Sequence, residues 1–493
     1  MSRSPTPTVI LAHTNGTLEQ RTQQQCLHRA ALLADHLAAE QLVRVGDRVA
    51  ILACNSIEFL EISIGVAGAG GCPVPINWHA TSHEIAHVLS DSGTSVLFCD
   101  PDLHQRAAHA IMRAGVRCAV FLTTANDSDI PALDDLIGAA AGPIGHIDGA
   151  LAASLGVIYT SGTTGSPKGV DRELMTPAQI LSVAGSTATR MGIRDGGCVL
   201  IPGPLYHTSP NSIATLALRM GSTLVLMERF DAEQFLSLVE QFAVEHAKVV
   251  PTMLSRLAAL PADVRDRYDV SSLTHVVHSA APCPPTIKHA AIGMFGDAVT
   301  EFYGCSEAGP ICWISAAEWL TRPGSVGRPV DGADVRVVDD QGEVVPVGTV
   351  GHVQVKGADY WPRFRYIGDG RLQPQFLDVG DNGYLDEDGY LYLAGRSADI
   401  VNIGGTNIYT AEIEAAAIDH PDVLDAAALG TPTGGDLGEE ITLYVVPRSA
   451  ELDMVALVEH LTQRLSTVKL PSVIRERTDL PRDDNGKLYK ARL

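Results

Sequence analysis

Aromatic residues are few in this 493-residue chain, at 5%, and charged residues reach only 19%. None of the nine cysteines (Cys26, Cys54, Cys72, Cys99, Cys118, Cys198, Cys283, Cys305, Cys312) is spaced CxxC. That excludes a zinc ribbon or a dithiol redox motif and leaves reduced, mostly core-filling thiols as the expectation. Long apolar runs are absent too. The longest charge-free stretch, ISIGVAGAGGCPVPINW (Ile62 to Trp78), is broken by glycines and prolines and reads as helix, turn and strand rather than a membrane span. The opening MSRSPTPTVILAHTNG has too short an apolar segment for a signal peptide, so a cytoplasmic protein is expected. Positive charge is also scarce: Lys and Arg total 36 against 58 Asp and Glu, a net charge of −22. Nucleic acid and anionic membrane surfaces require a positive field and are excluded as partners. An anionic ligand would have to be held locally, by backbone N–H groups, a few cations or a metal.

What the chain does have is 45% hydrophobic residues and a length beyond one ordinary domain of roughly 100–200 residues. Apolar strands alternate with amphipathic helices. DAEQFLSLVEQFAVEH (Asp231 to His246) puts Phe235, Leu238, Val239 and Phe242 on one helical face with Asp231 as N-cap. The strand-like AKVVP (Ala247 to Pro251) follows, and THVVHSAAP (Thr274 to Pro282) is a strand running into a loop. Such repetition implies an α/β architecture with largely parallel sheets. After about Arg328 the texture changes to short strands separated by Asp-Gly and Gly-Asp turns, which predicts a small antiparallel, barrel-like segment. A compact α+β pattern fills Ser397 to Leu493.

The densest signal is YTSGTTGSPKGV (Tyr159 to Val170), which follows the apolar LGVI (Leu155 to Ile158). Glycine and proline forbid a regular ladder here. A strand feeding a loop rich in glycine and hydroxyls brings backbone N–H groups close to phosphate. It is not a Walker loop: counted from Gly162, the second required glycine is Pro167, and Lys168 is followed by Gly169 rather than Ser or Thr. Donors would be Thr160, Ser161, Thr163 and Thr164 with neighbouring N–H groups, and Lys168 would add charge.

YTSGTTGSPKGV resembles the signature phosphate loop of the adenylate-forming (AMP-binding) superfamily, which includes acyl-CoA synthetases, adenylation domains of peptide synthetases and luciferases. Further segments resemble that family in the same order: GDRVAILACNSIEFLE (Gly46 to Glu61), PLYHTSPN (Pro204 to Asn211), EFYGCSEAG (Glu301 to Gly309), VGDNGYLDEDGYLYLAGR (Val379 to Arg396), GGTNIYTAEIE (Gly404 to Glu414) and LPRDDNGKLYK (Leu480 to Lys490). The resemblance spans nearly the whole chain. It implies a large N-terminal domain, residues 1–396, with two α/β sheet subdomains and a small β-barrel-like subdomain, then a small mobile α+β lid, residues 397–493.

The same resemblance implies roles. Ser161, Gly162, Thr163, Thr164, Gly165 and Lys168 would cradle the triphosphate with Thr160. Ser279, Ala280, Ala281 and Pro282 would border adenine, Tyr303 would stack on it, and Gly304 would allow close approach. Ser306 would lie on the α-phosphate side, where the family usually has threonine. Glu307 would hold Mg²⁺, Asp381 the ribose hydroxyls, and Arg396 ribose or phosphate. Lys487 would reach into the large domain and bridge the substrate carboxylate and the α-phosphate. His207, Asn211, Ser279 and Gly304 would line the acyl pocket, and Gly404 and Gly405 a pantetheine tunnel. Read alone, several of these residues have plainer alternatives: a solvated loop carboxylate (Glu307), a turn-forming aspartate (Asp381), a structural histidine (His207), a helix-entry turn (Gly404, Gly405) and a solvated tail lysine (Lys487). Two positions depart from many relatives: Ala398 stands where an Asp or Lys pivot is common, and Asp171-Arg172 follows the loop.

The activity implied is ATP-dependent activation of a carboxylic acid to an acyl-adenylate, with Mg²⁺, followed by transfer to the thiol of CoA. A carrier-protein thiol, an amine, nitrite activation towards an aromatic amine, and a catalytically silent nucleotide-binding protein remain alternatives. Partners would be small molecules, and a homodimer is left open.

Overall fold

The structure, a computed structural model, describes residues 6–139, 156–160, 167–369, 372–403, 406–432, 439–449, 452–484 and 486–493. Its spine, among the described residues, is a 13-stranded sheet. Six strands run parallel in the spatial order Thr8–Ala12, Thr223–Met227, Cys198–Ile201, His246–Val249, His275–His278 and Val299–Cys305. Parallel strands must be covered on both faces. One face carries Val199, Ile201 and Val277 against Ile213, Ala214 and Ala217 of the helix Thr208–Arg219. The other carries Ala247, Val249 and Val276 against Phe235, Val239, Ile287 and Ala291. A second parallel sheet, ordered Cys72–Pro75, Arg48–Leu52, Val96–Cys99 and Ala119–Leu122, has its own core. The two α/β sheets expected from the sequence are therefore present.

From Val299–Cys305 onward the pairing turns antiparallel, through Gly309–Ser315 and Ser325–Pro329 to Leu391–Arg396, Leu377–Leu385, Gly351–Lys356 and Asp334–Val338. These are the short antiparallel strands expected after about Arg328, and among the described residues they stay hydrogen-bonded to the central sheet through Ser325–Pro329. The Asp-Gly hairpins were legible, but which edge they would join was not.

Asp231 does cap its helix, accepting the Gln234 N–H at 2.8 Å. That helix ends at Phe242, short of His246, because Ala243 turns left-handed (φ 47°) and His246 already belongs to a strand. Ile57–Gly68 and Cys72–Pro75 supply the helix and strand expected in the charge-free stretch. No helix among the described residues is long and apolar enough to cross a membrane. All nine cysteines are free thiols, four of them buried.

The small C-terminal domain has a core of Val401, Ile413, Ala426, Leu443, Leu457 and Leu461. Its strands Val423–Pro432, Glu439–Pro447 and Val473–Glu476 form one sheet, flanked by the helices Thr410–Ile418 and Met454–Arg464.

Candidate functional site

Chain order scatters the candidate residues, and strand ends gather them. Ile158–Thr160 pairs antiparallel with Lys168–Arg172, so Thr160 faces Lys168 across the neck of the hydroxyl-rich loop. Ser161, Gly162, Thr163, Thr164 and Gly165 lie outside the described residues. The Thr160 hydroxyl donates to Glu307 Oε1 at 3.3 Å, and the Tyr366 hydroxyl donates to the same oxygen at 3.3 Å. Trp361 Nε1–H donates to the Glu307 carbonyl at 3.2 Å, and the Lys168 ammonium lies 5.4 Å from the Tyr366 ring centre. Tyr366 and Trp361 were not picked out in the sequence, and nothing in their local pattern marks them.

Arg172 is the second unforeseen member. Its guanidinium donates to the Gly156 carbonyl at 3.1 Å and to the Ser306 carbonyl, so it ties the loop's incoming strand to the Ser306-Glu307 turn. Its Nε is shut off from water with no partner among the described residues. Burial pulls the group down to about 10, partly offset by the nearby Glu307 carboxylate, so it remains a cation at neutral pH. Its neighbour Asp171 pairs with Arg48 at 3.1 Å. The unusual Asp171-Arg172 pair thereby acquires a structural account.

The Val299–Cys305 strand positions the next group. A register shift falls between Tyr303 and Gly304. A Cβ at Gly304 would stand 2.1 Å from the Gly309 carbonyl oxygen, so only glycine fits the bend. Tyr303 donates its hydroxyl to Asp381 Oδ2 at 2.7 Å, and Asp381 lies 3.4 Å from Arg396 Nε, its cross-strand neighbour. Burial lifts the Asp381 carboxyl above its ordinary value although Arg396 and Tyr303 oppose the shift. Ser279, Ala280, Ala281 and Pro282 follow the His275–His278 strand. Ala280 sits at φ 82°, a left-handed conformation costly for a non-glycine residue, of the kind that collects at binding loops. The Ser306 hydroxyl lies 3.3 Å from that of Thr208.

The C-terminal tail closes the site. Arg482 grips Asp425 with two bonds of 2.7 and 2.8 Å and the Gly486 carbonyl at 2.9 Å. This anchors the turn that presents Lys487. Asp483 accepts the Lys487 backbone N–H at 2.9 Å and the Tyr489 hydroxyl at 3.2 Å. Its Oδ2 also lies 3.4 Å from His207 Nε2 of the large domain. Burial alone would raise the Asp483 carboxyl, but His207 and Lys487 outweigh it and hold it below the usual range. Burial draws the Lys487 ammonium below its ordinary value; Arg396 adds to the shift, while Asp483 and Glu307 oppose it. Lys487 therefore lies within electrostatic reach of both Glu307 and Arg396. Further docking contacts are His79 to Asp484 at 2.9 Å, Glu84 to Arg492 at 2.9 Å and Thr286 to Asp419 at 2.8 Å. Asn211 is spent locally: its amide donates to the Leu205 carbonyl at 2.9 Å in the helix's first turn.

Beside the tail lies a cavity of about 880 Å³, lined by Pro251, Thr252, Ala281 and Pro282 of the large domain and by Tyr409, Ala411 and Asp483 of the small one. Gly404 and Gly405 lie outside the described residues.

The neck of the hydroxyl-rich loop and the Glu307 carboxylate belong to the large domain, and Lys487 belongs to the small domain docked on it. Comparison with known proteins makes this specific. The model of the AMP-binding enzyme family matches residues 3–361, and that of the AMP-binding enzyme C-terminal domain matches residues 412–487. The chain belongs to this family of adenylate-forming enzymes. It is 29% identical over 510 residues to a fatty acid–[acyl-carrier-protein] ligase of Streptomyces coeruleorubidus, covering 99% of this chain and 93% of that protein. It is 32% identical over 479 residues to a feruloyl-CoA synthase of an Amycolatopsis species, covering 95% and 92%. Among solved structures, an amide bond synthetase from Marinactinospora thermotolerans superposes with a TM-score of 0.82 at 28% identity, covering 99% of this chain and 97% of that one.

Proposed function

We propose that the protein activates a carboxylic acid with ATP and passes the acyl group to the thiol of CoA. In the first step a carboxylate oxygen attacks the α-phosphorus of ATP, the bond to the pyrophosphate oxygen breaks, and acyl-adenylate forms. In the second step the thiol sulfur attacks the acyl carbon, the bond to AMP oxygen breaks, and the thiol proton leaves to solvent. No protein nucleophile is needed, so the chain contributes position and charge. The observation that carries this reading is that Lys487, on a tail docked to the large domain through Asp483 and His207, feels the charges of Glu307 and Arg396 of the body.

In this reading Lys487 neutralises charge developing between the attacking carboxylate and the α-phosphate. Thr160 and the loop after it hold the β- and γ-phosphates, Ser306 lies along the α-phosphate, and Asp381 and Arg396 receive the ribose. Tyr303, Gly304, Ser279, Ala280, Ala281 and Pro282 frame adenine. Glu307 offers hard oxygen donors suited to Mg²⁺, with the Thr160 and Tyr366 hydroxyls beside it. Bound Mg²⁺ would supply charge neutralisation between phosphates. His207 borders the acyl pocket and steadies Asp483. We place the boundary after Arg396, with 1–396 as the large domain and 397–493 as the lid whose rotation would admit the thiol. The cavity against Pro251, Thr252 and Ala281 supports a thiol route there.

ATP–pyrophosphate exchange over a panel of acids tests the first step. Offering CoA, a carrier protein and amines in turn tests the second. Exchange without any thioester from CoA would replace the acceptor while keeping the activation.

A further inference from the structure

A lysine in the middle of a parallel sheet is an anomaly. Lys248 lies in His246–Val249, with strands hydrogen-bonded on both sides, and is only 3% exposed. Its neighbours Ala247 and Val249 belong to the core on one face. Alternation therefore sends Lys248 to the other face, which carries Val277 and Phe302 and is covered by the helix beginning at Thr208. Its ammonium lies 5.3 Å from the Phe302 ring centre. Of its three N–H donors, one reaches the Val249 carbonyl at 2.8 Å. Among the described residues it has no carboxylate partner. Burial pulls it down to about 7. The other buried lysine nearby, Lys288, contrasts with it by pairing directly with Glu301. A buried, unpaired ammonium is costly, and a leucine or methionine would fill the same strand position without that cost.

Its location suggests what it is for. Phe302 precedes Tyr303-Gly304 in the strand that supplies the nucleotide loop. Thr208, at the head of the covering helix, touches Ser306. Gly486, next to Lys487, packs on Thr252: a Cβ there would stand 2.6 Å from Thr252 Oγ1. Lys248 is four residues upstream of Thr252, which lies in the first turn of the helix Pro251–Ala259 that follows the strand. An acid whose reacting carboxylate lies by Lys487 and whose body runs between sheet and helix would bring its far end towards Lys248.

Resting on the activation reading above, we propose that the substrate is an acid carrying a second anionic group, a carboxylate or sulfonate at its far end, and that Lys248 is the group that selects it. The second anion completes the ammonium's hydrogen bonds and converts a desolvated lone charge into a pair. A charge-assisted bond of this kind discriminates by about 10- to 100-fold.

The test is ATP–pyrophosphate exchange with α,ω-dicarboxylates of graded length, an aromatic diacid and a sulfonated acid, each against its singly charged ester or unsubstituted counterpart. The native enzyme is expected to favour the doubly charged member of each pair by about 10- to 100-fold in kcat/KM. Lys248→Met is expected to abolish or invert that preference with KM for ATP unchanged, and Lys248→Arg to retain part of it. Thermal unfolding of Lys248→Met, expected at a temperature no lower than native, separates lost selectivity from misfolding. Equal use of singly charged acids by the native enzyme, or an unchanged preference in Lys248→Met, overturns the proposal and leaves the activation reading standing. Exchange with no acid of either kind overturns both.

Discussion

Asp483 of the C-terminal domain lies 3.4 Å from His207 of the large domain, and the same carboxylate accepts the backbone N–H of Lys487 at 2.9 Å. One side chain thus docks the lid and orients the turn that carries its lysine. Two variants separate these roles. Lys487→Ala is expected to lower pyrophosphate exchange by about 10²–10³-fold while sparing thioester formation from supplied acyl-adenylate, since the ammonium acts only on the first step. Asp483→Ala is expected to lower exchange less, by about tenfold, because Lys487 remains but is less well held. Rapid-quench assays of each half-reaction check both, and normal exchange in Lys487→Ala would reject the assignment.

Arg172 bridges the Gly156 and Ser306 carbonyls beneath Glu307. Replacing it by methionine leaves those carbonyls unsatisfied and the Glu307 turn untethered. The expected cost is about 2–3 kcal/mol of stability and a several-fold rise in KM for ATP. Lys at this position is not expected to rescue, because one ammonium cannot reproduce a fork directed at two strands. Urea unfolding and exchange kinetics on the two variants provide the check.

Glu61 is fully buried and takes both oxygens' worth of Arg21 at 2.9 Å and Arg29 Nε at 2.9 Å. Glu61→Ala removes the acceptor that the two guanidinium groups share, leaving Arg21 with Glu19 and Glu58 and Arg29 with Asp134. A loss of about 2–3 kcal/mol is expected, with kcat of the folded enzyme little changed. Chemical denaturation would show it, and a loss below about 1 kcal/mol would mean the pocket admits water.

Lys248 also makes stability depend on pH. Its folded value is drawn down to about 7, against 10.5 when unfolded. The unfolded chain therefore binds the proton more strongly between those values, and stability rises with pH across the window. It is complete above 10.5 and declines as pH falls towards 7. His246 on the same strand and His278 on the next one are also pulled below their ordinary values by burial, which keeps them neutral across this range. Between pH 7 and 9 the native protein should gain about 2–3 kcal/mol relative to Lys248→Met. Urea titrations at the two pH values measure this, and a saturating doubly charged acid should flatten the difference.

Much of the site was readable along the chain. Gly162, Gly165 and Pro167 announce a loop, since glycine weakens a ladder and proline lacks the N–H it needs, whereas the bend at Gly304 shows only in its packing against the Gly309 carbonyl. Arg172, Tyr366 and Trp361 were not readable, since each matters only through a partner brought over from another strand. The end of the helix at Phe242 was missed for the same reason: the pull of the neighbouring strands on His246 overrides a periodicity that would continue.

Local order came from the sequence itself, because turn chemistry, capping and apolar periodicity depend on residues a few positions apart. It determined the alternation of strands and helices, the phosphate-loop pattern and the identity of the charged residues available to a reaction. Tertiary packing decided which of those charges meet. Lys487 feels the charges of Glu307 and Arg396 only because two domains dock, and Lys248 is a buried amine without a carboxylate partner among the described residues only because strands close over it on both sides. Electrostatic energy depends on separation in space and on the exclusion of water, and neither is a property of position along a chain.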